Sequence, residues 1–337
     1  MILRWRKSQR LDDPVAGDVQ AKLSRQFAWD RWDGNPAVTP QWLAAHSRWY
    51  SHRRYLFDGE HILAVLERKA PGLYGPIGRH HGGFEPLPGA SEEDVAVELG
   101  RCISQRFLIL PLASLSLSEV FKRQEALRVH RRSDEAVLRV EAMSVEDYIG
   151  TRSRNLRKTL RKAERAIANN HWTIRLVERG SLHAVAPQLL AVEQAGYRTV
   201  GRPLSERRSP VIRALLALDD VGRCRVWIVD GNDGNDGIRG YLIAGHGLEQ
   251  DYLYTTAIRE SDADLSIGTL LYSTAITQIL AEGRGVSLGP GDTPHKRRFA
   301  TASEPRVDVV AVPARLAAPL RPVIRLALRW RTGTDWS

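Results

Sequence analysis

Residues 283–300 read GRGVSLGPGDTPHKRRFA, in which a short apolar stretch at 286–289 leads into a glycine-rich turn and then a basic segment. Strands that end in glycine-rich loops are where α/β folds commonly place their ligands. Gly289 and Gly291 allow a ligand to approach the backbone closely. The titratable groups that follow are Asp292, His295 and Lys296. The run predicts a buried strand that opens into a ligand site.

The elements that precede this run are predicted from their periodicity. A helix is predicted at 267–281, because apolar residues recur on one helical face and Gly283 follows where a C-terminal cap belongs. The apolar face consists of Ile267, Leu271, Ala275 and Ile279. Strands are predicted before the helix, at 225–229, 240–246 and 250–257, with a loop rich in Gly, Asn and Asp between the first two.

The first half of the chain shows a similar order of elements: two strands joined by a Pro-Gly turn, a helix and a short apolar strand. They are predicted at 61–69, 73–78, 92–104 and 107–112. Alternating strands and helices predict an α/β fold. With 337 residues and 43% hydrophobic content, the chain is long enough for two cores. We expect two domains, at 1–143 and 144–312, followed by a basic C-terminal tail at 313–337.

A long amphipathic helix is predicted at 144–169, where the second half begins. Ser144 and Asp147 have the spacing of an N-terminal capping box. One face is an apolar stripe of Ile149, Leu156, Leu160, Ala163 and Ile167. The other faces are basic, with Arg152, Arg154, Arg157, Lys158, Arg161, Lys162 and Arg165. The basic residues from Arg154 to Arg165 are a candidate RNA-binding surface, because phosphate neutralisation supplies much of RNA affinity. A solvated helix face is the alternative.

The net charge of +10 at pH 7 favours an anionic partner such as RNA, an anionic membrane surface or a polyphosphate cofactor. An arginine-rich composition without functional meaning explains the same charge. The two cysteines form no CxxC pair and the histidines form no cluster with metal-ligand spacing, so neither a disulfide framework nor a metal site is expected. No apolar run reaches the roughly 18 residues of a membrane span, and we expect a cytoplasmic protein.

The run at 283–300 resembles the signature of the CelD-like acetyltransferases, a branch of the GNAT superfamily related to the FemABX aminoacyl transferases. In that branch a buried strand leads into the pattern G-x-G-D-x-x-x-K-[RK]-x-[FW]. Here the pattern is carried by Gly289, Gly291, Asp292, Lys296, Arg297 and Phe299. The resemblance covers 144–300 and includes the segment SIGTL at 266–270. The first half matches in the order of its elements and in the segment PQWL at 40–43.

The resemblance implies two tandem GNAT-like halves, each with a mixed, mainly antiparallel sheet flanked by helices. The resemblance also implies that each sheet is splayed at one point to admit the donor, and that the second half is the catalytic one. The start of the 267–281 helix is the implied position for the donor's phosphate arm, because backbone N–H groups at a helix N-terminus attract anions. The implied donor-binding residues are Ser266, Ile267, Gly268, Thr269, Gly289 and Gly291. The Q/R-x-x-G-x-G/A loop of simpler GNAT enzymes is absent, which leaves both acyl-CoA and aminoacyl-tRNA open as donors.

Acyl transfer to an amine needs a base for the nucleophile, a donor to the developing oxyanion and an acid for the leaving group. Lys296 is the first candidate, as a stabiliser of the tetrahedral intermediate or of the donor's phosphate. Asp292 is a candidate to orient Lys296 or the incoming amine. Glu193, near the end of a helix predicted at 185–195, is the candidate base, and Tyr254 on a predicted strand is the candidate acid. A solvated carboxylate and a packed aromatic ring are the alternatives for these two.

Three functions are compatible with the sequence. The first is an acyl-CoA-dependent acyltransferase of a biosynthetic pathway, such as that of a natural product, acting on an amine or hydroxyl group of a small molecule or peptide. The second is an aminoacyl transferase that takes its acyl group from a charged tRNA and forms an amide or ester bond. The third is a non-catalytic protein that binds nucleic acid or a membrane surface on a GNAT scaffold.

Overall fold

The computed structural model describes residues 6–8, 53–58, 61–70, 73–76, 90–102, 107–123, 127–196, 215–231, 237–247 and 249–313. The chain divides into two compact units. The first unit consists of residues 1–136 and 304–337, and the second unit of residues 137–303. The expected domain boundary at 143 falls inside the second unit. The chain returns to the first unit at Glu304, so the expected boundary at 312 falls inside the first unit.

Strands and helices alternate along both units. The strands include β1 (Arg6–Ser8), β2 (Arg53–Asp58), β3 (His61–Ala70), β4 (Leu73–Pro76), β5 (Phe107–Ser114), β6 (Leu127–Val140), β7 (Thr173–Leu176), β8 (Cys224–Asp230), β9 (Ile238–His246), β10 (Gln250–Ile258), β11 (Gly285–Pro290) and β12 (Ala302–Pro313). The helices include α1 (Glu92–Cys102), α2 (Leu115–Arg123), α3 (Val145–Thr151), α4 (Arg154–Asn169), α5 (Leu182–Gln194), α6 (Ile267–Ala281) and α7 (Pro294–Arg297). A 3-10 helix covers Glu260–Leu265, and a helical turn lies at 215–219.

The first unit is built on a sheet in the order β1-β2-β3-β4-β5-β12. β4 and β5 are parallel, and the other neighbouring pairs are antiparallel. The parallel strands are joined through α1, whose start is stabilised by Ser91, since its Oγ accepts a hydrogen bond from the Asp94 amide at 3.0 Å. Leu66, Leu99 and Leu110 are buried in one core, so α1 packs its apolar side on this sheet.

The second unit has a sheet in the order β6-β11-β10-β9-β8-β7, in which β6 takes part through its last residues. β10 and β11 are parallel and joined through α6, and the other pairs are antiparallel. α6 has the predicted bounds, and Gly283 after it has φ +75°, as a C-terminal cap requires. α6 contacts β8 through Gln278, which accepts a hydrogen bond from Trp227 Nε1 at 2.6 Å.

The two units repeat one plan among the strands that the structure describes. Each contains a parallel pair joined through a helix, β4–α1–β5 in the first unit and β10–α6–β11 in the second. Parallel neighbours need a crossover connection, which explains why a helix separates them in the sequence. The mixed, mainly antiparallel α/β architecture predicted for each half is confirmed.

The single long helix predicted at 144–169 is wrong, because the chain forms α3 and α4 with an extended residue between them. That residue, Arg152, has φ −75° and ψ 140°. Because of the break, α3 turns a different side toward the core than it would as part of one continuous helix. Tyr148 is therefore buried, whereas Ile149, which the prediction placed in the apolar stripe, is 46% exposed.

Both of these helices begin at a capping serine. Ser144 Oγ accepts a hydrogen bond from the Asp147 amide at 3.0 Å and donates one to the Asp147 carboxylate at 2.7 Å, which confirms the predicted cap. Ser153 Oγ accepts one from the Leu156 amide at 3.2 Å. The second cap satisfies an N–H group that a continuous helix would have paired internally, so it stabilises the break.

The periodicity does not predict β2, β6, β7, β12 or α2. β6 reads LRVHRRSDEAVLRV, and its charged residues interrupt the apolar alternation by which strands are recognised. The PQWL segment at 40–43 and the tail after Pro313 lie outside the described residues. Within the described part of the chain, no helix combines the length and the apolar character needed to cross a bilayer.

Candidate active site

A fork between β10 and β11 is the central feature of the second unit. The two strands pair in parallel from Gln250 and Gly285 to Tyr252 and Ser287. Beyond that point β10 continues to Ile258 and β11 to Pro290. The pairing of β10 with β9 is irregular between Leu253 and Thr255, so Tyr254 is the extra residue of a β-bulge. This bulge lies just beyond the point where β10 and β11 stop pairing. The resemblance implies a splay at one point in each sheet, and in the second unit this fork is where the paired strands separate.

Gly289 brings the backbone of β11 close to both β10 and Lys296. Its φ is +74°, and that of Gly291 is +95°, values that favour glycine. A Cβ at Gly289 would lie 3.5 Å from the carbonyl oxygen of Leu253 and 3.7 Å from Nζ of Lys296. The amine of Lys296 therefore lies at the fork.

A compact turn holds Lys296. Thr293 Oγ1 accepts a hydrogen bond from the Lys296 amide at 3.3 Å, and the Lys296 carbonyl accepts from the amides of Phe299 and Ala300 at 2.9 and 3.1 Å. The ring of Phe299 is buried and stacks on that of Tyr272 with 5.5 Å between centroids. This stacking contact fixes the turn to α6, because Tyr272 belongs to that helix.

The carboxylate of Asp292 has a partner other than Lys296. Arg297 donates a hydrogen bond to each of its oxygens, one from Nε and one from NH2. The hydrogen bond from Arg297 holds the pKa of Asp292 below its usual value although both side chains are exposed. The pair closes the loop from 292 to 297, so the role of Asp292 supported by this geometry is to shape the turn that carries Lys296.

Tyr254 and Glu193 lie in different surroundings. Tyr254 is half-buried at the irregularity of β10, at the fork. Glu193, on α5, is 4% exposed, and its Oε1 accepts a hydrogen bond from the hydroxyl of the buried Tyr241 on β9. The structure therefore places Tyr254 at the fork and packs the carboxylate of Glu193 between a helix and the sheet.

The N-terminus of α6 lies beside the far end of β10. Ser266 precedes the helix with φ 61°, and its carbonyl accepts hydrogen bonds from the amides of Thr269 and Leu270 at 3.1 and 3.2 Å. A Cβ at Gly268 would lie 3.8 Å from Cγ2 of Ile258. The amides of Ile267 and Gly268 come too early for an intrahelical acceptor, so this helix start can bind an anion.

A buried ion pair anchors the 3-10 helix that leads to α6. Arg239 Nε and NH2 donate to the two carboxylate oxygens of Asp262 at 2.9 and 2.7 Å. The guanidinium of Arg239 also lies 4.9 Å from the centroid of the Trp172 ring. No local sequence pattern marks these residues, because their contacts join segments that are separated in the chain.

The candidate RNA-binding residues of α4 are exposed. They are Arg154, Arg157, Lys158, Arg161, Lys162 and Arg165. Lys162 Nζ donates a hydrogen bond to the carbonyl of Asp264 at 2.8 Å, which connects α4 with the segment before the α6 N-terminus. Arg152, predicted to share this basic surface, is instead buried.

Charged groups also cross-link the closed end of the fork, where β10 and β11 pair. Asp251 on β10 is fully buried and accepts a hydrogen bond from Arg284 NH1 at 2.8 Å. Arg225 donates to both oxygens of Glu282 at 2.9 and 2.6 Å. This hydrogen bond lowers the pKa of Glu282. The ion pairs tie β8, β10 and the end of α6 together, so the strands separate at one end only.

Residues for a metal ion are not gathered in the described part of the chain, where no group of three or more His, Cys, Asp or Glu side chains could hold one. Two groups near the fork have the chemistry to attract an anion, the α6 N-terminus and the amine of Lys296. Together with the fork they suit a donor that has an extended arm and a phosphate group.

Comparison with known families and structures identifies the fold. Residues 152–297 match the acetyltransferase (GNAT) domain family. No curated protein sequence matches the chain. A conserved protein of unknown function from Bacteroides thetaiotaomicron is similar at 7% identity, with 93% of this chain and 100% of that chain covered and a TM-score of 0.61.

Two further solved structures are of named proteins. L-PGS from Bacillus licheniformis is 12% identical over 96% of this chain and 99% of its own, with a TM-score of 0.57. FemX is 10% identical over 91% of this chain and 97% of its own, with a TM-score of 0.59. At such identities the likeness shows the fold, and the GNAT fold predicted from the motif is confirmed. The CelD-like branch stays a prediction.

Proposed function

We propose that the second unit is an acyltransferase that moves an acyl group from acyl-CoA to an amine or hydroxyl acceptor in a biosynthetic pathway. The observation that supports this most is the amine of Lys296 at the fork of β10 and β11. A cation in a partly closed cleft stabilises negative charge that develops during acyl transfer. The family match over 152–297 supports the same reaction class.

In the proposed reaction, the acceptor's nitrogen or oxygen attacks the carbonyl carbon of the thioester and forms a tetrahedral oxyanion. Lys296 stabilises this oxyanion, which collapses with release of the thiolate of coenzyme A. Tyr254 donates the proton that the thiolate takes up, and the acceptor loses its proton to solvent or to a base. The donor's phosphates bind at the α6 N-terminus, from Ser266 to Thr269. Glu193 has a structural role in this proposal, because its carboxylate accepts the hydrogen bond from Tyr241 and so stabilises the packing of α5 on the sheet.

An aminoacyl-tRNA donor is the second candidate, and it has an observation of its own. The exposed basic side of α4 is connected through Lys162 and Asp264 to the segment before the α6 N-terminus. A phosphate backbone that lies along α4 would therefore lead to the helix start that binds the donor. FemX, whose fold this chain shares, bears the name of the FemABX aminoacyl transferases, to which the CelD-like branch is related.

Donor binding distinguishes the two candidates. We would titrate the protein with acetyl-CoA and longer acyl-CoAs by calorimetry, and measure binding of charged tRNA on filters at several salt concentrations. Saturable micromolar binding of an acyl-CoA, with weak tRNA binding, supports the first candidate. Tight tRNA binding that weakens steeply with salt, without acyl-CoA binding, contradicts it.

A triple substitution on α4 sharpens this measurement. Replacing Arg157, Lys158 and Arg161 with alanine is expected to reduce the slope of log K against log salt by about two to three if tRNA binds there, since each lost phosphate contact removes roughly 0.7–0.9. The double variant Arg175→Ala/Arg179→Ala, on exposed arginines outside α4, is the control. Equal slopes in the two variants would exclude α4 as the tRNA surface.

Replacing Gly289 with alanine tests the geometry of the fork. We expect a loss of about 1–2 kcal/mol in unfolding free energy, because a residue with a Cβ is strained at φ +74°. The methyl group would also lie next to Nζ of Lys296, so acyl-donor binding should weaken. Urea unfolding and donor calorimetry measure the two effects.

Gly283→Ala is a matched control for this substitution. Gly283 has φ +75°, and a Cβ there would have no neighbour within 4 Å. Both variants should lose similar stability, while only Gly289→Ala loses donor affinity. Unchanged donor affinity in Gly289→Ala would show that the donor does not enter the fork at this residue.

A further inference from the structure

We infer that Arg152 is a positioning residue that holds the turn carrying Lys296, separate from the basic surface of α4. The effect of Arg152 on catalysis depends on the proposed function, whereas its effect on the turn follows from contacts within the second unit. Arg152 is 9% exposed, although Ser153 and Arg154 directly after it are exposed. An arginine is rarely buried unless its guanidinium is fully engaged, so its partners indicate its role.

The partners are successive carbonyl groups directly after α7. Arg152 NH1 donates hydrogen bonds to the carbonyls of Arg298, Phe299 and Ala300 at 3.1, 2.5 and 3.4 Å. The contact with Phe299 spans 147 positions of the sequence. Hydrogen bonds from a charged donor are stronger than neutral ones, so one side chain fixes the path of three residues.

α3 holds the guanidinium from its other side. The guanidinium carbon lies 4.4 Å from the centroid of the Tyr148 ring, and Arg152 Nε donates to the Tyr148 carbonyl at 3.3 Å. Arg152 NH2 donates to Thr151 Oγ1 at 2.7 Å. Arg152 makes these contacts with an extended backbone, at the position where the predicted helix breaks.

Tyr148 contacts the same turn directly. Its hydroxyl donates a hydrogen bond to the carbonyl of Phe299 at 3.2 Å. Burial raises the pKa of Tyr148 to about 12, so the hydroxyl keeps its proton at neutral pH and remains a donor. The carbonyl of Phe299 is therefore held by two side chains.

The turn transmits this restraint to Lys296. The amides of Phe299 and Ala300, whose carbonyls Arg152 binds, donate to the carbonyl of Lys296. A movement of residues 298–300 would therefore move the backbone of Lys296 relative to the fork. Since a displacement of about 1 Å at a catalytic group lowers the rate strongly, Arg152 acts on the proposed reaction without touching substrate.

Arg152→Met, Arg152→Lys and the control Arg179→Met, on an exposed arginine, test the inference. In Arg152→Met, hydrogen exchange at the amides of Phe299 and Ala300 is expected to accelerate by about tenfold or more, as loss of a charged hydrogen bond implies, with exchange in α6 unchanged. The pH profile of Lys296 labelling by an amine reagent should shift, and kcat should fall with little change in KM. Arg152→Lys should restore these properties only in part, because an ammonium group lacks the planar fork of donors.

The inference is overturned if Arg152→Met matches Arg179→Met in the exchange of residues 296–300 and in the labelling profile. If Arg152→Met does not fold, Arg152→Lys and Tyr148→Phe decide in its place: faster exchange at Phe299 and Ala300 supports the inference, and unchanged exchange overturns it. If the unaltered protein transfers no acyl group, the proposed function is wrong, but the inference about Arg152 can still be tested. Hydrogen exchange and Lys296 labelling do not require the protein to turn over a substrate.

Discussion

Replacement of Lys296 by methionine is expected to lower kcat for acyl transfer by about 10²–10³-fold, the range found when one preorganised donor to an oxyanion is removed. Methionine keeps the length and most of the apolar stem of lysine but removes the charge. Because the Lys296 backbone is held by Thr293, Phe299 and Ala300, the turn should persist without the amine. Steady-state kinetics with the donor found by calorimetry measures the effect.

Arg179→Met is the control, and unfolding curves of both variants establish that the fold is retained. A rise in KM at constant kcat would assign Lys296 to binding of the donor's phosphate instead of the intermediate. Absence of turnover in the unaltered protein and in the variant, with unchanged binding of RNA or anionic vesicles, would favour the non-catalytic function. Unchanged turnover in Lys296→Met alone would remove Lys296 from the mechanism.

Replacement of Asp262 by alanine is expected to lower the unfolding free energy of the second unit by about 3–5 kcal/mol, because it leaves the charge of Arg239 buried without its partner. Both side chains are almost fully buried, so solvent does not screen the pair. The loss should also loosen the 3-10 helix before α6. Urea unfolding followed by fluorescence measures the change, since Trp172 lies against Arg239.

Asp264→Ala is the matched control for this effect. Asp264 is exposed on the same 3-10 helix, and its contact with Lys162 uses the backbone carbonyl, which alanine retains. The double variant Arg239→Met/Asp262→Leu should recover most of the lost stability, because an apolar pair leaves no buried charge. A loss in Asp262→Ala no larger than in Asp264→Ala would show that the pair contributes little.

The elements of the second unit that follow a simple period could be predicted closely. α6 has the bounds expected from its apolar face, and Gly283 ends it with the backbone expected of a cap. Gly289, Gly291 and Lys296 meet within one short stretch, so their proximity follows from chain connectivity alone. Such features depend on residues close in the sequence, and local patterns are sufficient to reveal them.

The roles of single charged residues could not be predicted in this way. Arg152 and Arg154 are both arginines in a basic segment, yet one is buried against carbonyl groups and the other is exposed. Glu193 has the pattern of a solvated helix carboxylate but packs against Tyr241. A charge pattern indicates which groups are present, whereas burial depends on what the rest of the chain places beside them.

Local sequence therefore determined the α/β class, α6, the capping serine of α3 and the glycine-rich turn with Lys296, since each depends on backbone preferences and periodicity over a few residues. Tertiary structure decided the burial of Arg152 at the helix break, the Arg239–Asp262 pair and the location of the fork between β10 and β11. These depend on contacts across long separations, such as the 147 positions between Arg152 and Phe299. Their free energy comes from burial and pairing, which exist only once distant segments have packed together.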